Sequence, residues 1–154
     1  GEIYKISGQA FLGIQERQTP PVTLVAKYNQ KEDKVKLNPS NQEEGRSFFT
    51  IKPGEFYLVT TIEKVNLPAN ICATFIPRTT TFRSGLFLRT GVAQPGYQGK
   101  LTFALKNEGG VPVTLELGCR FVHAQFHWID GGGSHYRGQW QGGRVTTEKI
   151  ETQV

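Results

Sequence analysis

The chain has 154 residues, with 18 Lys and Arg against 13 Asp and Glu, 18 Gly, 8 Pro and two Cys. This length fits a single domain, residues 1–154, which can bury a core without a disulfide framework. The separated Cys72 and Cys119 form neither a zinc cage nor a redox CxxC motif, and no apolar run approaches the roughly 20 residues of a membrane span. We therefore expect reduced cysteines, no zinc, no membrane partner and a cytoplasmic location.

The net charge of +5 favours an anionic partner, either a phosphorylated small molecule or nucleic acid. Nucleic acid is the less favoured partner, because the chain has no clustered basic stripe with interleaved aromatic residues. Acid–base catalysis requires a carboxylate or a histidine in the right place, and the chain has 13 carboxylate residues and 3 histidines.

Short β-rich runs separated by turn residues dominate the chain, and no long stretch has apolar residues at helical spacing. The predicted strands, in chain order, are Val22–Ala26, Lys34–Leu37, Ser47–Ile51, Phe56–Ile62, Ile71–Ile76, Leu86–Arg89, Lys100–Lys106, Val111–Leu117 and Cys119–Ile129. Many short strands at this spacing predict an all-β sandwich or barrel, with its core over about residues 22–129.

One helical turn is predicted at Thr79–Ser84, where Gly85 would end it. It should be brief, because three consecutive threonines are poor helix formers. The polar segments Gln15–Pro21 and Asn38–Arg46 are predicted to be surface loops.

The C-terminal segment, residues 130–154, is rich in glycine and contains Tyr136 and Trp140 but few aliphatic side chains. This composition fits two alternatives, a segment that closes over a ligand or a disordered tail. Trp140, like Trp128, is predicted to be a packing residue, and Trp140 has the alternative role of covering a bound base.

Arg78 and Arg83 flank three hydroxyls, at Thr79, Thr80 and Thr81, at the start of the predicted helical turn. Backbone N–H groups at a helix N-terminus, hydroxyl donors and guanidinium groups can together bind a polyphosphate. This pattern alone is a weak signal, because arginines and threonines on a surface turn are usually only solvated.

A longer series of motifs runs from about Ile51 to Gln125. Its members are Pro53-Gly54-Glu55-Phe56, Thr61-x-Glu63, Leu67-Pro68, Arg78-Thr-Thr-x-x-Arg83-x-Gly85, Gly91-Val92, Pro95-Gly96-Tyr97-x-Gly99, Asn107, Gly118 and Gln125. In this order and spacing the series resembles the dUTPase/dCTP deaminase superfamily, and most of all its dCTP deaminase-like proteins. A weaker match continues through Tyr136-x-Gly138-x-Trp140-Gln141, which is similar to the deaminase-type C-terminal segment.

The resemblance implies a distorted, jelly-roll-like β-barrel of the dUTPase type, assembled as a homotrimer with active sites between the subunits. It implies a pyrimidine deoxynucleoside triphosphate, dCTP or dUTP, as the ligand. It also implies Mg²⁺ on the phosphates of that ligand.

The resemblance further assigns roles to single residues. Arg78 and Arg83 match phosphate-binding arginines, and Thr79 stands where the family has a serine that places phosphate or the attacking water. The hairpin Gly91–Gly99 matches the one that lines the pyrimidine pocket, and Tyr97 matches the aromatic residue that stacks under the deoxyribose. The implied nucleotide-binding residues are Arg78, Thr79, Thr80, Arg83, Gly91, Val92, Gln94, Tyr97, Gly99, Tyr136 and Gln141.

Both carboxylates that the family reactions use are replaced in this chain. Gln94 stands where the dUTPases have an aspartate, and Ala104 stands where the deaminases have a glutamate. Neither an amide nor a methyl group accepts a proton from water, and loss of a general base costs roughly 10²–10⁴-fold in rate. The catalytic residues therefore stay unassigned, and we predict a nucleotide-binding pseudoenzyme.

Other family positions also differ. Val92 stands where the deaminases have an arginine, Gln139 where the family has a phosphate-binding lysine, and Gly143 near a later glutamine. Arg137 and Arg144 are candidates to restore positive charge nearby.

A relocated base would have to be Asp130, His123, His127 or His135. His123 and His127 share one face of a predicted strand with Gln125, which favours a subunit interface over catalysis. The two histidines lack a third metal ligand at a predictable place. Two alternatives to the pseudoenzyme stay open: an active dCTP deaminase or dUTP diphosphatase with a relocated base, and a non-enzymatic trimeric structural or interaction protein.

Overall fold

The computed structural model describes residues 1–28, 42–43, 46–131 and 133–152. Strands make up most of this part of the chain, which contains one short helix. The elements are β1 (Glu2–Ile6), β2 (Phe11–Leu12), β3 (Glu16–Gln18), β4 (Val22–Lys27), β5 (Gln42–Glu43), β6 (Arg46–Ile51), β7 (Phe56–Asn66), β8 (Ile71–Pro77), α1 (Thr79–Arg83), β9 (Leu86–Arg89), β10 (Val92–Ala93), β11 (Gln98–Asn107), β12 (Val113–Glu116), β13 (Val122–Trp128) and β14 (Glu151–Thr152). The prediction of an all-β fold is confirmed.

The described strands form one five-stranded sheet, in the order β4-β1-β7-β11-β9, and three three-stranded sheets. The smaller sheets have the orders β10-β8-β13, β12-β6-β5 and β14-β3-β2. Neighbouring strands pair antiparallel in all four sheets. This topology places β10, which carries part of the predicted hairpin, on a different sheet from β11, which continues it.

The core is built on the alternation of side chains along β7 and β11. Leu105 pairs with Tyr57 and Phe103 with Val59, and all four side chains are buried. Burying one large apolar side chain of this kind stabilises the fold by about 1.5–3 kcal/mol.

Asn107, at the end of β11, is fully buried, and both the nitrogen and the oxygen of its side-chain amide are hydrogen-bonded. Its Nδ2 donates to the carbonyl oxygens of Ile51 at 2.9 Å and Val111 at 2.8 Å, and its Oδ1 accepts from the Gly109 N–H at 3.0 Å. A buried amide with all these partners does not incur the desolvation penalty of an unpaired polar group. Asn107 thereby ties the end of β11 to β6.

Most of the predicted strands are confirmed. Leu86–Arg89 has the predicted bounds, and the others that fall on described residues shift by a few residues, as expected for strand ends. The helical turn is confirmed as α1, which ends at Arg83 with Ser84 as its C-cap, and Gly85 follows in the left-handed region at a φ of +84°. The predicted strand Lys34–Leu37 lies outside the described residues.

The predictions at the N-terminus were incomplete. The sequence pattern predicts no strand before Val22, yet β1 lies between β4 and β7 in the large sheet, and its Ile3 is in the core. The prediction of a loop at Gln15–Pro21 is wrong, because β3 lies there. Its hydrogen-bonding partners are β2 and the distant β14, which local sequence cannot reveal.

Two further predictions need correction. β5 lies within the predicted loop Asn38–Arg46, most of which is outside the described residues. Trp128 was predicted to pack, but its side chain is 73% exposed in this chain because β13 is an edge strand. Among the described residues no helix is long and apolar enough to cross a membrane.

Candidate functional site

The hairpin Gly91–Gly99 turns at residues 94–97. The Tyr97 N–H donates to the Gln94 carbonyl at 3.1 Å, and Gly96 adopts a φ of +78°, which a glycine adopts without strain. Leu67 holds the turn from outside: its N–H donates to the Tyr97 carbonyl and its carbonyl accepts from the Gly96 N–H, both at 3.0 Å. The turn therefore has a fixed position relative to β7.

Tyr97 is buried beneath this turn, with 8% of its surface exposed. Its hydroxyl donates to the Lys100 carbonyl at 2.5 Å, and its ring meets Tyr136 edge to face. Burial raises the pKa of the Tyr97 phenol, and Tyr136 adds to the shift. Tyr97 is consequently a neutral side chain with a fixed ring, suited to form a wall rather than to transfer a proton.

The C-terminal segment packs on the hairpin. The side-chain amide of Gln141 accepts from the Gln98 N–H at 3.0 Å and donates to the Gly96 carbonyl at 2.9 Å. The Tyr136 N–H donates to the Pro95 carbonyl at 2.7 Å. Residues 133–152 are therefore not a free tail. That this segment closes over a ligand stays a prediction.

Glycines make this closure possible. A Cβ added to Gly99 would lie 2.6 Å from the backbone carbon of Gly142, and one added to Gly143 would lie 2.9 Å from the backbone nitrogen of Lys100. Both distances are shorter than any side chain tolerates, so the two backbones approach closely only because both positions are glycine.

The far end of the segment is held by a second set of contacts. Arg144 donates to both carboxylate oxygens of Glu151, at 2.7 and 3.2 Å, and this hydrogen-bonded pairing lowers the pKa of the Glu151 carboxyl. The Thr147 N–H donates to the Thr19 hydroxyl at 2.9 Å, and the Thr19 N–H donates to the Thr147 hydroxyl at 3.0 Å. The segment is thus fixed at both of its ends.

A cavity of about 450 Å³ lies between the hairpin and the C-terminal segment. This volume is in the range of sites for small molecules. Four of the residues predicted to bind nucleotide line it, namely Gly91, Val92, Tyr97 and Tyr136. Its other walls are mainly apolar and aromatic, with contributions from Phe56, Leu58, Phe75, Leu101, Phe103 and Trp140.

The cavity offers few polar groups and no proton acceptor. Thr19, Thr102 and Arg144 are its polar lining residues besides the two tyrosines, and none of the described lining residues is Asp, Glu or His. Gln94 is exposed on the turn and does not line the cavity. Ala104 lies on β11, where its neighbours across the sheet include Arg89.

Arg78 lies elsewhere, in a second cavity of about 520 Å³ that Arg120 and His123 also line. It precedes α1, and its backbone N–H donates to the Phe121 carbonyl at 3.0 Å. The Thr81 hydroxyl donates to the same carbonyl at 2.9 Å, which fixes the start of the helix on the residues before β13.

A single chain therefore assembles only part of the predicted site. Thr79, Thr80 and Arg83 are exposed on α1, and with Arg78 they form a group separate from the cavity beside Tyr97. Gly99 and Gln141 belong to the closure of the C-terminal segment and do not line either cavity. Two separate groups remain, each named here for the role that the resemblance implies: a base-side group at the cavity beside Tyr97, namely Gly91, Val92, Tyr97 and Tyr136, and a phosphate-side group at α1, namely Arg78, Thr79, Thr80 and Arg83.

The residues named as alternative bases are dispersed. The His127 Nε2 lies 2.8 Å from the Thr74 hydroxyl on the neighbouring strand, and His123 is in the second cavity. His135 packs beside Gly96, where an added Cβ would lie 2.7 Å from its Nδ1, and Asp130 is exposed. Among the residues that the structure describes, no three His, Cys, Asp or Glu side chains are grouped to hold a metal ion.

Thr102 and Arg144 line the cavity but were not predicted to bind ligand. Thr102 lies two residues before Ala104 on the same face of β11. This spacing from the position of the deaminase glutamate was the only sequence feature that could have indicated Thr102. Arg144 was considered only as a source of positive charge, and Glu151 in fact neutralises it.

The family described as dCTP deaminase-like matches residues 15–128. The chain is 31% identical over 140 residues to a protein of Methanothermobacter thermautotrophicus named "Probable deoxyuridine 5'-triphosphate nucleotidohydrolase", covering 91% of this chain and 80% of that protein. It is 38% identical over 103 residues to a "dCTP deaminase, dUMP-forming" of Dictyoglomus turgidum, covering 62% of this chain and 53% of that protein.

Among solved structures, the chain resembles the 2'-deoxycytidine 5'-triphosphate deaminase from Agrobacterium tumefaciens, with a TM-score of 0.54 and 16% sequence identity. The match covers 81% of this chain and 34% of that one. At this identity the similarity supports the fold alone. The chain thus spans most of the Methanothermobacter protein, about half of the Dictyoglomus protein and a third of the Agrobacterium chain.

Proposed function

The chain belongs to the dCTP deaminase-like family, and we propose that it binds a pyrimidine deoxynucleoside triphosphate, dCTP or dUTP, without efficient turnover. The observation that carries this proposal is the cavity beside Tyr97, which is lined by the predicted hairpin and contains no Asp, Glu or His among its described residues.

The base and sugar of the nucleotide fit this cavity chemically. Aromatic and aliphatic walls bury the faces of a pyrimidine, and Gly91, Val92 and Tyr97 of the hairpin line the same cavity. Tyr97 provides a fixed ring for the deoxyribose. The C-terminal segment covers the cavity with Tyr136 and Trp140, which would exclude water from a bound base.

Catalysis is impaired in this proposal because none of the described residues that line the cavity is an Asp, Glu or His that could activate water. Gln94 and Ala104 occupy the two family positions, and neither accepts a proton. Mg²⁺ is held in proteins by one or two carboxylates together with substrate phosphates. Because the described lining residues include no carboxylate, the protein itself does not fit a resident Mg²⁺, and any such ion would enter with the triphosphate.

The phosphates are proposed to bind Arg78, Thr79, Thr80 and Arg83 of a neighbouring subunit in a homotrimer. Two observations support this arrangement. The phosphate-side residues do not line the base-side cavity of their own chain. The edge strand β13 exposes 60% of Phe126 and 73% of Trp128, an apolar surface of the kind that subunit interfaces cover.

The second candidate function is that of an active enzyme with a relocated base. Of the three histidines, His135 is favoured as that base, because it packs beside Gly96 of the hairpin. Imidazole is the commonest general base, so His135 is the candidate base of this alternative. Incubation of the protein with dCTP and dUTP, with chromatography for dUTP, dUMP and pyrophosphate, separates the two candidates.

Restoring a carboxylate provides the sharper test of impaired catalysis. Ala104→Glu would place a carboxylate opposite Arg89, whose positive charge favours the ionised form that a base requires. We expect deamination of dCTP to appear in Ala104→Glu and to be absent from Ala104→Gln, which has the same size without the charge. Deamination of dCTP by the unmodified protein at the rate of Ala104→Glu would contradict the proposal. Loss of deamination in His135→Ala would then support the relocated base.

A further inference from the structure

The edge strand β13 carries a core-type surface into solvent. Phe126 pairs with Ala73 and Trp128 with Ile71 on β8, and residues directly opposite each other share one face of a sheet. Ala73 is fully buried and Ile71 packs against the core, yet Phe126 and Trp128 are mostly exposed. A face that is buried on β8 is therefore open on β13, and we call Phe126 and Trp128 the β13 patch.

A second apolar surface lies on the small sheet of β2, β3 and β14. Its most exposed member is Ile14, in the turn between β2 and β3, with 97% of its surface exposed. The terminal patch, as we name this surface, consists of Phe11, Leu12, Ile14 and Ile150, all of them exposed. All four lie outside residues 15–128, which match the dCTP deaminase-like family, so the family match does not account for them.

The two patches differ in composition and position, as a ring of identical subunits requires. In a twofold contact a patch meets its own copy, whereas in a closed ring each subunit offers one patch and receives another. At about 150–250 Å² for an aromatic side chain, the β13 patch exposes roughly 200–300 Å². This area suits the apolar centre of an interface that buries about 800 Å² of each partner.

The terminal patch is on the sheet that holds one side of the base-side cavity. Thr19 directly follows β3 and lines the cavity beside Tyr97. Arg144 lines the same cavity, and its guanidinium group bonds to the carboxylate of Glu151 on β14. A subunit that docks on this sheet therefore approaches the base-side group.

The β13 patch is on the strand that is joined to the phosphate-side group. Phe121, directly before β13, accepts hydrogen bonds at its carbonyl from the Arg78 N–H at 3.0 Å and the Thr81 hydroxyl at 2.9 Å. The position of β13 in a neighbouring subunit therefore sets the position of that subunit's α1.

We propose that the terminal patch of one subunit packs on the β13 patch of the next, in a closed ring of three copies. This inference rests on the proposed function, because it takes the site to be shared between subunits. The contact joins the base-side part of one copy to the phosphate-side strand of the next. A twofold contact between two β13 patches would instead join two phosphate-side strands and leave both terminal patches exposed.

Ile14→Asp and Trp128→Asp each place a charge in one patch, at a side chain that is exposed in the single chain. By sedimentation, the unmodified protein should be a trimer and each variant a monomer. An equal mixture of the variants should contain heterodimers, because Ile14→Asp keeps its β13 patch and Trp128→Asp keeps its terminal patch. Val111→Asp, at an exposed apolar residue outside both patches, should remain a trimer.

Circular dichroism checks that the variants are folded, and Leu12→Asp with Phe126→Asp repeats the test within the same two patches. Dimers formed by either variant alone would mean that one patch pairs with itself, which overturns the inference. Variants that remain trimeric, or a mixture without heterodimers, overturn it as well.

Nucleotide binding separates this inference from the proposed function. If the protein assembles through these patches but retains no dUTP, the proposed function fails and the inferred contact stands. If the protein retains dUTP while Ile14→Asp and Trp128→Asp remain trimeric, the inference fails and nucleotide binding stands.

Discussion

Tyr97 and Tyr136 meet edge to face, with ring centroids 5.4 Å apart and ring planes inclined by 77°. Such aromatic pairs stabilise by about 0.5–1.5 kcal/mol beyond the area that they bury. Tyr97 belongs to the hairpin and Tyr136 to the C-terminal segment, so this contact joins the two parts that enclose the cavity. The C-terminal segment is therefore already packed against the hairpin in a single chain.

The first prediction concerns Gln141, whose amide bonds twice to the hairpin backbone. Gln141→Ala should loosen the closure by about 1–2 kcal/mol, because each hydrogen bond contributes about 1 kcal/mol. Hydrogen exchange of residues 133–152 should accelerate, while exchange of β7 and β11 stays the same. Gln15→Ala, at an exposed position outside the segment, should leave exchange unchanged. Equal exchange in both variants would show that the amide does not hold the segment.

The second prediction concerns the pH dependence of the Arg144–Glu151 pair. Because Arg144 lowers the pKa of Glu151 below its ordinary value of 4.5, the pair stabilises the folded state above that pH and stops doing so as the pH falls through the lowered pKa. The Tm of Glu151→Gln should therefore lie below that of the unmodified protein at pH 7, and the difference should shrink as the pH falls below 4.5. The exposed Glu148→Gln is the control. A difference that stays constant with pH would contradict the ion pair.

The third prediction concerns Gly96, which has a positive φ and packs against His135. Gly54 has a similar φ of +83° but open space around it, so it isolates the backbone cost. Gly54→Ala should lower the free energy of unfolding by about 1–2 kcal/mol. Gly96→Ala should lower it by a further 1–3 kcal/mol or so, because the new methyl group meets the imidazole.

Adding His135→Ala to Gly96→Ala should recover this excess, since the double variant removes the clash. Denaturant unfolding measures all four proteins. If Gly96→Ala costs no more than Gly54→Ala, His135 does not pack where the structure has it.

The fourth prediction tests whether the two groups of site residues meet across subunits. Arg78→Ala removes the phosphate-side arginine, and Val92→Glu puts a negative charge at the base-side cavity, so neither variant alone should bind dUTP. When the two variants are coexpressed and assemble randomly, about a quarter of the sites between subunits should combine an intact Arg78 with an intact Val92. Binding by the mixed protein at about this level supports the shared site. If the mixed protein does not bind dUTP, both residues belong to the site of one chain, and the shared site is contradicted.

Sequence alone anticipates the elements whose signal is local. The strand β11 alternates apolar residues, β9 is a short apolar run between turn residues, and α1 begins at a threonine run and ends before a glycine. The strands β3 and β14 carry no such pattern. They form because the two ends of the chain pair with each other, and a partner so distant in sequence leaves no local trace.

The candidate site divides in the same way. The hairpin around Tyr97 could be located from its motif, because glycine and proline at fixed spacing determine its turn. The closure by Gln141 could not, because a glycine-rich segment with aromatic residues fits a free tail equally well. Thr102 was missed because a threonine in a strand is ordinary, and only the folded chain shows that it lines the cavity.

The most direct test of the central claim is to equilibrate the protein with labelled dCTP and dUTP, separate it from free nucleotide, and identify what it retains by chromatography. The account predicts that nucleotide is retained and recovered as the unchanged triphosphate. Recovery of dUTP from dCTP, or of dUMP with pyrophosphate, would contradict the loss of catalysis, and retention of no nucleotide would contradict binding itself.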